Sequence, residues 1–168
     1  MNKENVFAQL QVANKVHPDG KDLNLDRVDL TVKSLATTGS IVGARISIAV
    51  PLRAADVDSF VWVAPVACTL VSVTEVHSVI STGAATLGIR KITANSQAPG
   101  ASAGANVVEL LATAIDLNGV AANTLTTASL SAVAGVLTIA AGNRIAFDFS
   151  AAVTGLAGCV VTLNFTAA

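Results

Sequence analysis

A chain of 168 residues with a formal net charge of -1 and a pI near 6.0 lacks the basic face, and the pI above about 9, that a nucleic-acid partner selects. Its hydrophobic content is 52%, but alanine and valine broken by threonine, serine and glycine supply most of it, and no run of about 18 apolar residues marks a transmembrane helix. Charged residues are only 12% of the chain, about half the usual share, and residues 60–168 hold just Glu75, Arg90, Lys91, Glu109, Asp116, Arg144 and Asp148. A surface that neutral is expected to be covered by copies of the chain or by another protein, so the sequence reads as a building part before it reads as a catalyst.

The length suits one domain with a short appendage. Residues 1–5 lead into 6–12, where two glutamines interrupt the apolar run; the apolar core of a secretory signal is missing, and a cytoplasmic product is expected. Residues 4–16 suit a brief helix with Val6, Leu10 and Ala13 on one side, which His17-Pro18-Asp19-Gly20 then breaks. Residues 22–35 alternate like a strand at Leu30 and Val32 amid charges. We divide the chain into an extended N-terminal arm, residues 1–40, and a β-sandwich domain, residues 41–168. The arm's apolar side chains Val6, Phe7, Leu10, Leu23, Leu25, Leu30 and Val32 are its candidate partner contacts. Residues 41–52 resume the alternation with Ile46, Ile48 and Val50, as the first strand of the domain or as a strand added to a neighbour's exposed sheet edge.

Residues 60–64 form the next expected strand, which stops at Pro65. Residues 68–80 place Leu70, Ser72, Thr74, Val76 and Ser78 on one face and Val71, Val73, Glu75, His77 and Val79 on the other, in a strand long enough to carry a bulge. Residues 85–93 set Leu87, Ile89, Lys91 and Thr93 against Thr86, Gly88, Arg90 and Ile92, with the basic pair expected where a face meets solvent or a partner. Residues 95–106 read as a polar loop outside the core, and 107–112 as a short strand or helical turn. Two strands, 114–117 and 123–130, are expected around Asn118-Gly119. Residues 136–139, 140–143 and 144–150 read as strand, tight turn and strand, with Ile145, Phe147 and Phe149 on one face. Residues 158–166 close the chain, Val160, Thr162 and Asn164 opposed to Cys159, Val161, Leu163 and Phe165. About eight strands at intervals near 8 to 12 residues make the fold all-β: a jelly-roll-like antiparallel β-sandwich.

Chemistry-bearing residues are few. Glu75 and His77 lie two apart on one strand face, where their side chains can touch; a surface or interface pair is the ordinary reading, a metal or proton-transfer pair the sharper one. Asp56 and Asp58 flank Val57 and present two carboxylates on one side of an extended segment, too few for a calcium site and ordinary for a solvated strand entry. His17 is expected to be solvated, and Asp19-Gly20-Lys21-Asp22 lacks the later ligands of a calcium loop. Cys68 and Cys159 are too few for a four-cysteine zinc site and read as buried thiols, with a disulfide left open. Gly100 and Gly104 have no Walker-type Lys-Ser/Thr beside them, and no Gly-x-Ser-x-Gly elbow occurs. Trp62 is the sole tryptophan and tyrosine is absent, which weakens a sugar-binding reading and favours a core or interface role for Trp62. No catalytic residue, cofactor or metal is expected.

Four passages carry a resemblance to a known family: Phe60-Val61-Trp62-Val63-Ala64-Pro65; Cys68-Thr69-Leu70-Val71-Ser72-Val73-Thr74-Glu75-Val76-His77; Leu137-Thr138-Ile139-Ala140-Ala141-Gly142-Asn143-Arg144-Ile145-Ala146-Phe147-Asp148-Phe149; and Leu156-Ala157-Gly158-Cys159-Val160-Val161-Thr162-Leu163. This series resembles the small jelly-roll decoration, or cement, proteins of tailed-bacteriophage capsids, although Asn143 stands where such proteins often have Asp. The resemblance implies a structural virion protein, made in the host cytoplasm and bound to the capsid exterior, where it bridges major capsid proteins and stabilises the shell. It implies no enzyme, nucleic-acid or membrane partner, and a homo-oligomer, with a dimer favoured over a trimer. The alternative is a head-fibre or tail-associated β-sandwich that binds a host-surface glycan.

Overall fold

The last strand shows most directly how sequence becomes structure. In Cys159–Ala167, the residues Cys159, Val161, Leu163, Phe165 and Ala167 are buried while Val160, Thr162, Asn164 and Thr166 are half-buried, the period-2 pattern of a strand with one face on a core. The computed structural model describes residues 44–168, which contain ten strands and no helix. They are β1 (Arg45–Leu52), β2 (Ser59–Val63), β3 (Cys68–Val76), β4 (Thr86–Ile92), β5 (Val107–Glu109), β6 (Ile115–Asp116), β7 (Thr126–Thr127), β8 (Thr138–Ile139), β9 (Arg144–Phe149) and β10 (Cys159–Ala167). The arm, residues 1–40, and its seven candidate contacts lie outside the described residues.

The strands form two antiparallel sheets. In the first, β10 lies between β1 and β3, and the short β7 and β8 both pair with the far side of β3. In the second, β9 lies between β2 and β4, and β5 and β6 pair with the far side of β4. The pairing is nested, first strand with last and second with second-to-last, the path of a long hairpin folded over as a jelly roll. Because β5 with β6 and β7 with β8 each share one place, the ten segments fill eight positions. β1 is therefore the first strand of its own domain, paired with β10 along its whole length, and not a strand lent to a neighbour. Pro51 sits in this edge strand, where a missing N–H is tolerated.

Leu70 and Val73 from β3 and Leu163 and Phe165 from β10 meet Leu87 and Ile89 from β4 and Ile145 and Phe147 from β9 in one core. Each such side chain contributes about 1.5–3 kcal/mol by leaving water. Trp62 of β2 stacks across the interior on Phe165, ring centroids 4.6 Å apart and planes tilted by 32°, so the sole tryptophan ties the two sheets together. A bulge in β3 makes the inward set possible: Asn164 pairs with Ser72 and Phe165 with Leu70, leaving Val71 as the extra residue. Strict alternation would put Leu70 on the face opposite Val73; the bulge turns Cys68, Leu70, Val73 and Glu75 all inward.

Three local readings change. Residues 140–143 do form a tight turn, with Gly142 at φ +82° and Asn143 Oδ1 accepting from the Ala140 N–H at 3.1 Å. The turn is a corner, however, since β8 pairs with β3 in the first sheet and β9 with β2 and β4 in the second. The strands flanking Asn118-Gly119 likewise belong to different sheets, β6 to the second and β7 to the first; Asp116 Oδ1 accepts from the N–H groups of Asn118 and Gly119, which holds its carboxyl below the usual range. Lys91 does not turn to solvent or a partner with Arg90. It faces inward at the end of the sandwich, where its ammonium donates to the carbonyls of Val136 at 2.7 Å and Thr138 at 2.8 Å, and burial lowers its pKa below the ordinary lysine value. Lys91→Met keeps the apolar stem but leaves those carbonyls unpaired, so it is expected to cost about 1–3 kcal/mol, read as a lower urea midpoint with an unchanged slope.

Candidate functional site

The outward faces of the two sheets differ in chemistry, and the difference follows from which residues alternation sends outward. On the second sheet the central outward residue is Arg90. Its guanidinium meets Glu109 at 3.2 Å and Asp148 at 2.7 Å and donates to the Ala101 carbonyl at 2.9 Å. Gly88 leaves the space that the Glu109 carboxylate fills, since a Cβ there would lie 3.1 Å from it. Burial raises the Asp148 pKa above the usual aspartate value, the nearby Arg90 opposing this and Asp58 adding to it. Arg144 stacks over the Phe60 ring at 4.5 Å and donates to the Ala94 carbonyl. Ala101 packs on Ile92, Val107 and Ala146, which are buried although they point away from the main core. Residues 95–106, expected as a loop outside the core, thus lie over the part of the second sheet's outer face around Arg90, Ile92 and Ala146, held by the carbonyls of Ala94 and Ala101 and by the Ala101 side chain, which carry no hydrophobic pattern.

The outward face of the first sheet has no such cover among the described residues. Register aligns four rows across it: Arg45, Thr166 and Thr69; Ser47, Asn164 and Ser72; Ala49, Thr162, Thr74 and Thr127; Pro51, Val160 and Val76. Arg45 is the one charged residue in these rows. The Ser47 hydroxyl donates to Asn164 Oδ1, and Asn164 Nδ2 donates to the Ser72 hydroxyl at 3.0 Å, fixing the middle side chain from both sides. Extra Val71, turned outward by its bulge, is 47% exposed beside them. The result is a surface of hydroxyls, one amide and small apolar groups, with Arg45 in an end row.

The sharper reading of Glu75 and His77 is answered by their burial. They touch, His77 Nδ1 lying 2.7 Å from Glu75 Oε1, but both side chains are sealed from solvent, so the expectation of a surface or interface pair is corrected: the Val71 bulge sets them inward. The Cys159 thiol donates to the same Oε1 at 3.2 Å, and Glu75 Oε2 has no partner. His77 Nε2 lies 3.2 Å from the Val120 carbonyl, which only accepts, so Nε2 carries a hydrogen and one further proton is shared between Nδ1 and Oε1. Burial, with the Glu75 carboxylate beside it, raises the Cys159 pKa far above the ordinary thiol range, and burial alone raises that of Cys68. Neither thiol is poised as a nucleophile. They sit at opposite ends of the first sheet, Cys68 opposite Ala167 and Cys159 opposite Leu52, roughly 27 Å apart at about 3.4 Å per residue of β10, too far for a disulfide.

Asp56 accepts from the Arg53 N–H at 2.7 Å and Asp58 from the Phe149 N–H at 2.8 Å, so the two carboxylates order separate backbone segments. No cluster of three or more metal-ligating side chains occurs among the described residues. Between the edges of β1 and β2 an open groove of about 480 Å³ is lined by Val50, Leu52, Val57, Phe60 and Phe147, with Val57 73% exposed. Val6, Phe7, Leu10, Leu23, Leu25, Leu30 and Val32 lie outside the described residues. The nearly uncharged face of the first sheet has one signal in the residue pattern, the outward set of β10, Val160, Thr162 and Asn164, which holds no charge. No protein-family model matches the chain, and comparison with curated proteins and with solved structures finds no match.

Removing one member of the buried pair leaves the other uncompensated. His77→Leu is expected to destabilise the domain by about 3–5 kcal/mol, and the double change Glu75→Leu with His77→Leu by clearly less, measured by denaturant unfolding of both variants. Native protein is also expected to leave both cysteines unmodified by a thiol-reactive disulfide reagent at neutral pH, with both labelled after unfolding; rapid labelling of native Cys159 would contradict its burial beside Glu75.

Proposed function

We propose that this chain is a non-enzymatic structural protein of a tailed-phage virion, which binds the outside of an icosahedral shell as a homo-oligomer and bridges major capsid proteins. The observation that carries the reading is the outward face of the first sheet, where Arg45 is the sole charge across its aligned rows. A broad sheet face whose single charge lies in an end row suits repeated protein contact, because little charge has to be desolvated when it is covered. The jelly-roll path supports it in kind, and the four passages of the resemblance fall on β2, β3, β8 with β9, and β10. In this reading the arm supplies further contacts through Val6, Phe7, Leu10, Leu23, Leu25, Leu30 and Val32. Many copies on one lattice turn individually weak contacts into firm retention. The glycan-binding alternative is the poorer fit, since Trp62 stacks inward on Phe165 and the ring of Phe60 lies against Arg144.

Purified protein mixed with undecorated shells of its source virus is expected to co-sediment saturably, at a fixed ratio to the major capsid protein, and to do so more weakly without residues 1–40. Absence of co-sedimentation for both forms would turn the question to host-cell binding.

A further inference from the structure

We infer that the outward face of the first sheet is where two copies of this chain pack together, face to face, about a two-fold axis near Thr162. The inference rests on the reading of a self-associating building part and adds to it the surface that does the associating.

The alternatives within the described domain are poorer. The second sheet's outer face is covered around Arg90, Ile92 and Ala146 by the chain's own loop through Ala94 and Ala101, and its Arg90, Glu109 and Asp148 satisfy one another. The groove between β1 and β2 is concave and cannot meet its own image as a flat face can. The first sheet's face has the properties a two-fold contact requires. Its central residues Thr162, Thr74, Ser72 and Asn164 carry both donors and acceptors, so an identical partner is complementary without a charge of opposite sign. A different protein would have to match a surface that offers only Arg45, in an end row, to steer it, whereas a second copy is uncharged over the same central rows. The single charge is no obstacle: Arg45 lies in an end row, and a two-fold axis running across the strands through Thr162 carries its mate to the opposite end.

The area is sufficient. Nine residues of β10 at about 3.4 Å each give a length of about 31 Å, and three long strands about 4.8 Å wide, with the two-residue β7 and β8 as a partial fourth, give a face on the order of 500 Å² for each copy. Two such faces reach about 1,000 Å² in total before side-chain relief is counted, the lower bound for a specific interface. Val71, Val76 and Val160 supply its apolar part, and packed sheet faces about 10 Å apart are an ordinary arrangement for side chains of this size.

The test is sedimentation velocity of the full chain across a concentration series, alongside Thr162→Arg, Thr74→Lys and, as a control, Ala141→Arg at the exposed β8–β9 turn. Wild type and Ala141→Arg are expected to sediment as dimers. Thr162→Arg and Thr74→Lys are expected to be monomers at the same concentrations, their dissociation constants raised about 100-fold or more, with circular dichroism and melting unchanged once extrapolated to the monomer. Two outward positions are used so that one unfolded variant does not decide the matter. A monomeric wild type overturns the inference, as does a folded variant at either position that dimerises like wild type. Shell pelleting is read separately. A wild-type dimer that Thr162→Arg splits, with no pelleting of either, sustains this inference and removes the virion reading. A monomeric wild type whose pelleting is lost in Thr162→Arg overturns the inference and gives the same face to the shell protein.

Discussion

The structure depends on the seating of β10 between β1 and β3. This strand joins the two ends of the described domain, pairs along its length with both neighbours, and sends Val161, Leu163 and Phe165 into the core. Phe165 also receives Trp62 from the other sheet, so one side chain links the hydrogen-bonded ladder to the packing between sheets. Nearly every pairing in a nested path joins segments distant in sequence, and the entropy of closing those loops comes before any of the contacts that offset it. The last strand is therefore a condition for the domain and not an addition to it.

With β10 in place, the two faces of the sandwich are free to specialise. The second sheet gathers Arg90, Glu109, Asp148 and Arg144 and closes its own loop over them. Few of the domain's charges remain for the first sheet, whose outward residues are hydroxyls, an amide and small apolar groups. The low charge seen along the later sequence is thus not spread evenly over the surface. It is concentrated on one broad face, where contact with another protein carries little electrostatic cost.

Besides Lys91 and Ser81, the described domain buries a polar group at one corner of its core. Glu75, His77 and Cys159 occupy a dry corner in which a carboxylate oxygen, Oε2, lacks a partner. Such a group is more costly than the hydrophobic side chains around it, and the compensation lies in the short contact to His77 and the Val120 carbonyl beyond. That carbonyl belongs to the segment leading into β7, and Asn123, at a φ of +60°, donates its N–H to the His77 carbonyl at 2.7 Å. The polar corner therefore ties down the chain as it crosses from the second sheet to the first.

Local alternation made much of this legible. The inward and outward sets of β10, the placement of Ile145, Phe147 and Phe149 in β9, the breaks at Pro65 and at residues 140–143, and the count of about eight strand positions all follow from period-2 patterning and turn residues, which act over a few neighbours. The neutrality of the later chain was equally readable, being a matter of composition. Parity and pairing were not. A single extra residue at Val71 reverses which side of β3 faces the core, and with it the fate of Glu75 and His77, yet a bulge leaves no mark in the residue pattern. Nor does alternation say that β8 and β9 belong to different sheets, or that carbonyls of residues 94 and 101 bind arginines from β9 and β4, because those choices rest on hydrogen bonds between segments far apart in sequence. Local patterning was enough to make the chain all-β and low in charge, with a strongly two-sided last strand; which face of the described domain is covered, which is open and which polar residues are sealed inside all depend on register set over long range, and so appear only in the folded molecule.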